Sequence, residues 1–226
     1  IEEEPKEPAW DVLIPMNTFW DAAALRRNRF FPTPYHWIVE TIDFILKQTD
    51  ATVAVRQHPH ERTFEQYGTG TQLGKTIQHK FGDNHRFRFY SSTEKVNSYR
   101  LVKQSKVILP YTSTLGIEAA LLGKHVIIES DVYYGDQAFV KKATSKQDYF
   151  ECIRTSLRRE PKTLSKAEKE KAWLLYYALN KCSFVYSPFG LDPRDIENWT
   201  SLGLDAVLSD DNLVTALRCL AENISF

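Results

Sequence analysis

Short apolar runs and amphipathic stretches alternate along the first two thirds of the chain. DVLIPM (11–16), TVAVRQ (52–57), FRFY (87–90), KVILPY (106–111) and HVIIES (125–130) are nearly continuous in apolar residues, the pattern of strands covered on both faces. Between them, PYHWIVETIDFILKQT (34–49) repeats its apolar residues at three-four spacing behind a proline in the first turn, which predicts an amphipathic helix. A shorter helix is expected around EKVNSYRLVKQS (94–105), and another over TLGIEAALLG (114–123), stopped by its glycine. The segment between the second and third runs is polar and contains glycine, and reads as a connection. Strand and helix in turn predict an α/β fold, a doubly wound parallel sheet.

The rest of the chain turns helical. SKQDYFECIRTSLRRE (145–160), SKAEKEKAWLLYYALNKCSFVY (165–186) and DDNLVTALRCLAENI (210–224) each begin with a serine or aspartate suited to capping. The opening IEEEPKEPAW carries four acids and two prolines ahead of any apolar pattern, as a solvated linker does. The expected organisation is a linker over 1–10, an α/β domain over 11–160, and a helical extension over 161–226 that packs on the same domain or on a partner.

Composition narrows the function classes. In 226 residues, lysine plus arginine and aspartate plus glutamate both total 29, so no global field draws the chain to nucleic acid. An anion must be held by a local device. Cys152, Cys182 and Cys219 lie far apart without a CxxC, which fits buried free thiols in a reducing compartment. No apolar run approaches the ~20 residues of a membrane helix, and the start lacks a signal-peptide pattern. The chain reads as a soluble protein.

In an open α/β sheet, ligands bind beyond the carboxyl ends of the strands. That rule selects four clusters: Asn17 to Asp21, His58 to Glu61, Thr112 to Glu118, and Asp131 to Asp136. In the third, Thr112, Ser113 and Thr114 form a turn into a helix, where backbone N–H groups lack intrahelical partners and favour phosphate. Gly116 would admit a close approach, and Glu118 could accept from ribose hydroxyls. The same residues also suit an ordinary capped helix, with Ser113 or Thr114 as cap. His58 can donate to a phosphate oxygen, with Pro59 holding the turn; His60 and the four remaining histidines read as ordinary surface or loop residues. Tyr133 and Tyr134 follow the fifth strand, where an aromatic ring can pack on a sugar or base. Asn17, Arg56 and Tyr111, at or beside strand ends, join them as candidate donor contacts. Asp21, Glu61, Asp131 and Asp136 read as caps or solvated loop acids, and the cluster Arg26, Arg27 and Arg29 as a solvated face. The tryptophans are expected as core or interdomain anchors.

QHPHE after a strand, followed by SKVILPYTSTLGIEAALLGKHVII and a tyrosine-rich loop, resembles the nucleotide-binding half of GT-B glycosyltransferases. The resemblance covers about residues 11–150 and is nearest to the capsule-polysaccharide synthesis group that includes bacterial Kdo transferases. Bacterial sialyltransferases are similar in having an HP motif and a serine/threonine pair. The resemblance implies that His58 contacts the donor phosphate, that Ser113 and Thr114 stand at the serine pair binding the same phosphate, and that Glu118 lies near the ribose. The second position of the pair is threonine here, which keeps a hydroxyl.

What the resemblance implies for function is transfer of an acidic sugar such as Kdo from a CMP-activated donor to a growing bacterial surface polysaccharide, without metal or other cofactor. Two other readings stay open, a UDP-sugar-dependent transferase and a non-catalytic nucleotide-sugar-binding module. GT-B enzymes have two Rossmann-like halves and this length holds one. The acceptor-binding half is therefore expected in the same parent chain or on a separate subunit, and no catalytic residue is assigned. Expected partners are the nucleotide-sugar donor and an oligosaccharide or glycolipid acceptor. The implied location is cytoplasmic, including a peripheral position on the inner face of the cytoplasmic membrane.

Overall fold

The computed structural model describes residues 9–18, 26–64, 69–182 and 201–222. The chain forms two compact units, Ile1–Ala172 and Trp173–Phe226. The first is built on six strands: β1 (Trp10–Pro15), β2 (Val53–Arg56), β3 (Phe87–Tyr90), β4 (Ser105–Ile108), β5 (His125–Ile128) and β6 (Lys141–Lys142). They form one sheet in the order β3-β2-β1-β4-β5-β6, and every neighbouring pair is parallel. Val12 on β1 aligns with Val53 on one side and Val107 on the other, so β1 lies inside the sheet with a partner on each edge. Strand order reverses between β1 and β4, which opens a crevice past their carboxyl ends.

Five helices accompany this sheet: α1 (Pro34–Gln48), α2 (Thr69–Phe81), α3 (Ser98–Gln104), α4 (Leu115–Leu121) and α5 (Lys146–Leu157); α6 (Lys166–Tyr177) spans the boundary between the units. Thr33 caps α1 by accepting from the His36 N–H, and Pro34 takes the first-turn position where its missing N–H costs nothing. The apolar face of α1, with Trp37, Ile38, Ile42 and Ile45, is fully buried. Both serine starts of the later helices cap the third residue on, and the second is a reciprocal capping box. Ser145 Oγ accepts from the Asp148 N–H while the Asp148 carboxylate accepts from the N–H of Thr144, one residue before the cap; Ser165 Oγ accepts from the Glu168 N–H and the Glu168 carboxylate accepts from the N–H of Ser165 itself.

Two elements escape the apolar pattern. The connection between β2 and β3 contains α2, whose Leu73, Ile77 and Phe81 repeat every fourth residue; Ile77 and Phe81 are buried. Strand β6 is two lysines, made a strand by pairing with Ile127 and Ile128 at an exposed edge, where charge deters further pairing. Trp10 is corrected from linker to strand: it opens β1, is buried, and its Nε1–H donates to the Tyr90 hydroxyl at 3.2 Å. Trp37 also anchors the core, donating to the Tyr149 hydroxyl at 2.9 Å. Trp173 does not, being largely exposed; Trp20 and Trp199 lie outside the described residues.

Residues 161–172 still belong to the first unit. His125 Nε2 pairs with the Glu160 carbonyl, the Lys162 N–H donates to the Gly123 carbonyl, and Leu164 and Ala172 are buried. Gly123 terminates α4 with φ +75, the left-handed geometry that glycine takes without strain. In the second unit, α7 (Leu204–Leu208) is followed by α8 (Asp211–Glu222), and Asp210 caps α8 through the Leu213 N–H. Among the described residues no helix is long and apolar enough to cross a membrane.

Candidate functional site

Four chain segments remote in sequence meet past the carboxyl ends of β1 and β2. A pocket of about 240 Å³ is lined by Pro15 and Met16, by Arg56 through Pro59, by Ser98 and Tyr99 at the start of α3, and by Ser113, Thr114, Leu115 and Glu118. The imidazole of His58 and the hydroxyl-bearing turn before α4 thus share one cavity. Parallel strands place these segments together because every carboxyl end points the same way and β1 stands between β2 and β4.

The turn before α4 is held from both sides. Asn17 Nδ2 donates to Thr112 Oγ1 at 2.9 Å while the Thr112 N–H donates to Asn17 Oδ1 at 3.2 Å, tying the end of β1 to the loop after β4. Tyr134 donates its hydroxyl to the Ser113 carbonyl at 2.6 Å. A Cβ on Gly116 would stand 2.2 Å from that hydroxyl oxygen, so glycine here makes room for the ring. Part of the expected set of backbone donors is taken up locally. Leu115 N–H bonds to Ser113 Oγ, Gly116 N–H to the Ser113 carbonyl and Ile117 N–H to the Thr114 carbonyl. Side-chain hydroxyls add donors of their own: Ser113 Oγ accepts from Leu115 and keeps its own proton to donate, and the exposed Thr114 makes no capping bond.

His58 is half-buried directly after β2, and Pro59 starts a 3-10 turn, Pro59–Phe64. Its Nδ1 accepts from the His60 N–H at 3.2 Å, which assigns the proton of the neutral imidazole to Nε2. Arg56 is buried and directs its terminal nitrogens to the carbonyls of Ser91, Glu94 and Val96. Burial pulls its pKa below the ordinary guanidinium range, against the opposing field of Glu94. The Glu94 carboxylate is itself engaged by Arg88 at 2.7 Å and the Ser91 N–H at 2.8 Å. Gln57, the first residue of QHPHE and not among the expected contacts, lines the same pocket.

At the mouth, Glu118 is half-buried and bonded to Tyr99; burial raises its pKa, and the tyrosine offsets part of that. Tyr133 is half-exposed, and burial together with the nearby Glu118 pushes its hydroxyl up to about 12. It lines a second pocket of about 370 Å³ with Arg27, Thr112, Asp131, Val132, Asp136 and Lys142.

Two expected contacts lie elsewhere. Tyr111 is fully buried, stacked on Trp37 at 5.5 Å with its hydroxyl on Asn28, because β4 ends at Ile108 and the chain dips back into the core. Tyr134 is fully buried beneath Gly116 and supports the turn from below. Glu61 is also buried, where a solvated or capping acid was expected. Asp131 and Asp136 are exposed partners of Lys142, and Arg29 binds the Ala143 carbonyl and Asp131 where a free solvated face was expected. Asp21 lies outside the described residues. Cys152 is a free thiol, half-buried and pushed up to about 11 by burial and by Asp148; the side chains of Cys182 and Cys219 are outside the described ones. Among the described residues no group of three or more His, Cys, Asp or Glu side chains could hold a metal ion.

A six-stranded parallel sheet of this order, with its crevice between β1 and β4, defines the class: a Rossmann-like half of the GT-B type carrying additional C-terminal helices. The profile of capsule polysaccharide biosynthesis proteins matches residues 12–178, and the chain belongs to that family. Among solved structures it is similar to the beta Kdo 2,7 transferase KpsC of Thermosulfurimonas dismutans, at 17% identity over 75% of this chain and 47% of that one, with a TM-score of 0.44. It is also similar to the UDP-GlcNAc 2-epimerase of Methanocaldococcus jannaschii in complex with UDP-GlcNAc and UDP, at 15% identity over 76% of this chain and 46% of that one, with a TM-score of 0.46. The chain spans about half the length of each. No curated protein matches it in sequence.

Proposed function

We propose that this chain is the donor-binding half of a sugar transferase, taking a CMP-activated acidic sugar such as Kdo for a bacterial surface polysaccharide. The observation that carries the reading is the convergence of His58, Ser113 and Thr114 on one pocket past β1 and β2. Family membership supports a role in capsule polysaccharide biosynthesis. As the glycosidic bond breaks, negative charge gathers on the leaving nucleotide phosphate, so donors aimed at that group stabilise departure more than they stabilise bound substrate. The Nε2–H of His58 and the hydroxyls of Ser113 and Thr114 supply such donors, with the Arg56 guanidinium as a fixed positive charge. Loss of one donor is expected to raise the barrier by ~3 kcal/mol, by analogy with oxyanion donors. Glu118, at the pocket mouth, is placed to accept from ribose hydroxyls, and Tyr133 to pack against the sugar or base. The acceptor and the base that deprotonates it belong to the second half of the enzyme.

Titration calorimetry with CMP and with UDP tests the reading. Binding of CMP in preference to UDP supports it; preference for UDP moves the assignment to a UDP-sugar enzyme. Absence of binding by either nucleotide overturns it. A chain that binds nucleotide yet neither hydrolyses nor transfers the sugar when joined to an acceptor-binding half is a binding module and not an enzyme.

A further inference from the structure

The dipeptide immediately before His58 holds two buried donors that no group among the described residues receives. Arg56 and Gln57 are each 4% exposed. The terminal nitrogens of Arg56 reach the carbonyls of Ser91, Glu94 and Val96, and its Nε–H has no acceptor among the described residues. Gln57 Oε1 accepts from the Ser92 N–H at 2.9 Å. Since only an oxygen can meet an N–H, that bond fixes which arm of the carboxamide is oxygen, and puts the two N–H donors of Nε2 on the other arm. Nε2 too has no acceptor among the described residues. Both residues line the pocket shared by His58, Ser113 and Thr114. A buried donor left unmet is costly, and the guanidinium, bonded to neutral carbonyls within the field of Glu94, still carries its charge. An anion rich in acceptor oxygens answers both.

We propose that Gln57 is a further ligand-recognition residue, donating an Nε2–H to an oxygen of the phosphate that lies between His58 and Ser113, with Arg56 beside it as the charge that makes the pocket floor select an anion. The inference rests on the nucleotide reading of this pocket. Gln57 is neutral and its oxygen is pinned to Ser92, so it contributes geometry where Arg56 contributes field. The bond to Ser92 also means that the loop 91–96, which Arg56 holds, is in register with the donor.

Gln57→Glu is the informative substitution: it keeps an oxygen for Ser92 and turns the donor arm into an acceptor. Calorimetry on the full chain with CMP and with UDP, both of which carry phosphate, is expected to show the better-binding nucleotide weakened on the order of thirty-fold or more, from loss of a charge-assisted bond. A folded Gln57→Glu protein that binds this nucleotide as the unsubstituted chain does overturns the proposal. If the substitution prevents folding, the unsubstituted chain answers by 15N NMR. On addition of that nucleotide the Gln57 side-chain amide pair is expected to shift and to exchange more slowly with water; a pair that does neither overturns the proposal. Failure of the unsubstituted chain to bind either nucleotide removes the reading of the pocket and this inference with it. Binding that is indifferent to Gln57 removes the inference alone.

Discussion

Tyr134 and Gly116 fit together as ring and socket: the tyrosine hydroxyl stands where a Cβ on residue 116 would fall, 2.2 Å away, and from there donates to the Ser113 carbonyl. The glycine is thereby linked to the pocket, since the ring it admits supports the turn that carries Ser113 and Thr114. Gly116→Ala is expected to cost about 1–3 kcal/mol of stability by overpacking and to weaken nucleotide binding as the turn is displaced. Tyr134→Phe alone loses one hydrogen bond, about 1 kcal/mol. The double substitution is expected to lose less than the sum, because the nearest clashing atom has gone. Thermal melts of the four proteins check this cycle, and strict additivity would contradict the packing account.

Asn17 joins two strand ends through a two-bond contact with Thr112. Asn17→Ala is expected to lower stability by about 1–2 kcal/mol. Affinity for CMP should fall as well, although Asn17 does not line the pocket, because the Thr112–Thr114 turn loses its tie to β1. Chemical denaturation alongside calorimetry measures both quantities. A stability loss with unchanged affinity would confine Asn17 to the fold.

His58 and Ser113 separate binding from folding to different degrees. His58→Ala removes a donor from a half-buried loop, and should weaken nucleotide binding about tenfold or more while leaving the melting temperature nearly unchanged. Ser113→Ala also removes the oxygen that caps the Leu115 N–H, and so should cost about 1 kcal/mol of stability in addition to affinity. Equal loss of folding in both variants, with affinity intact, would reduce the site to a cap and a loop.

The carboxyl of Asp148 accepts from the backbone N–H of Thr144, and this bond, joined by the Thr144 hydroxyl, holds its pKa below the ordinary aspartate range. A pKa depressed on folding contributes stability above the unfolded value of about 4, and loses it as pH falls through the folded value. The melting temperature of the unsubstituted chain should therefore exceed that of Asp148→Asn at pH 6 to 7, and the gap should close as the pH is taken below about 4. A gap that persists in acid would assign the difference to packing and not to charge.

Local chemistry was legible where the residue and its partner are neighbours in sequence. Ser145 with Asp148, Ser165 with Glu168, Thr33 before Pro34 and the stop at Gly123 are complete within one helical turn. The helix α2 was missed for its polar surface and glycines, though Leu73, Ile77 and Phe81 keep the helical period. Strand β6 has no apolar pattern to find, since an edge pair of lysines becomes a strand only by meeting β5. Tyr111 and Tyr134 were read as ligand contacts from their place after a strand; where β4 ends, and what fills the space under Gly116, sent both inward.

Periodicity alone determined an α/β chain with parallel strands, and the rule that ligands gather past the strand ends pointed to His58 and to the turn at Thr112, Ser113 and Thr114. Those features depend on a few adjacent residues and on the backbone's own hydrogen-bonding needs. Only the tertiary structure decided that the two segments face one cavity, that the N–H groups of Leu115, Gly116 and Ile117 are taken up within the turn, and that Arg56 and Gln57 adjoin it with donors unmet among the described residues. The reason is that contact across a sheet depends on strand order and on which side chains already have partners. Both are properties of residues far apart in sequence.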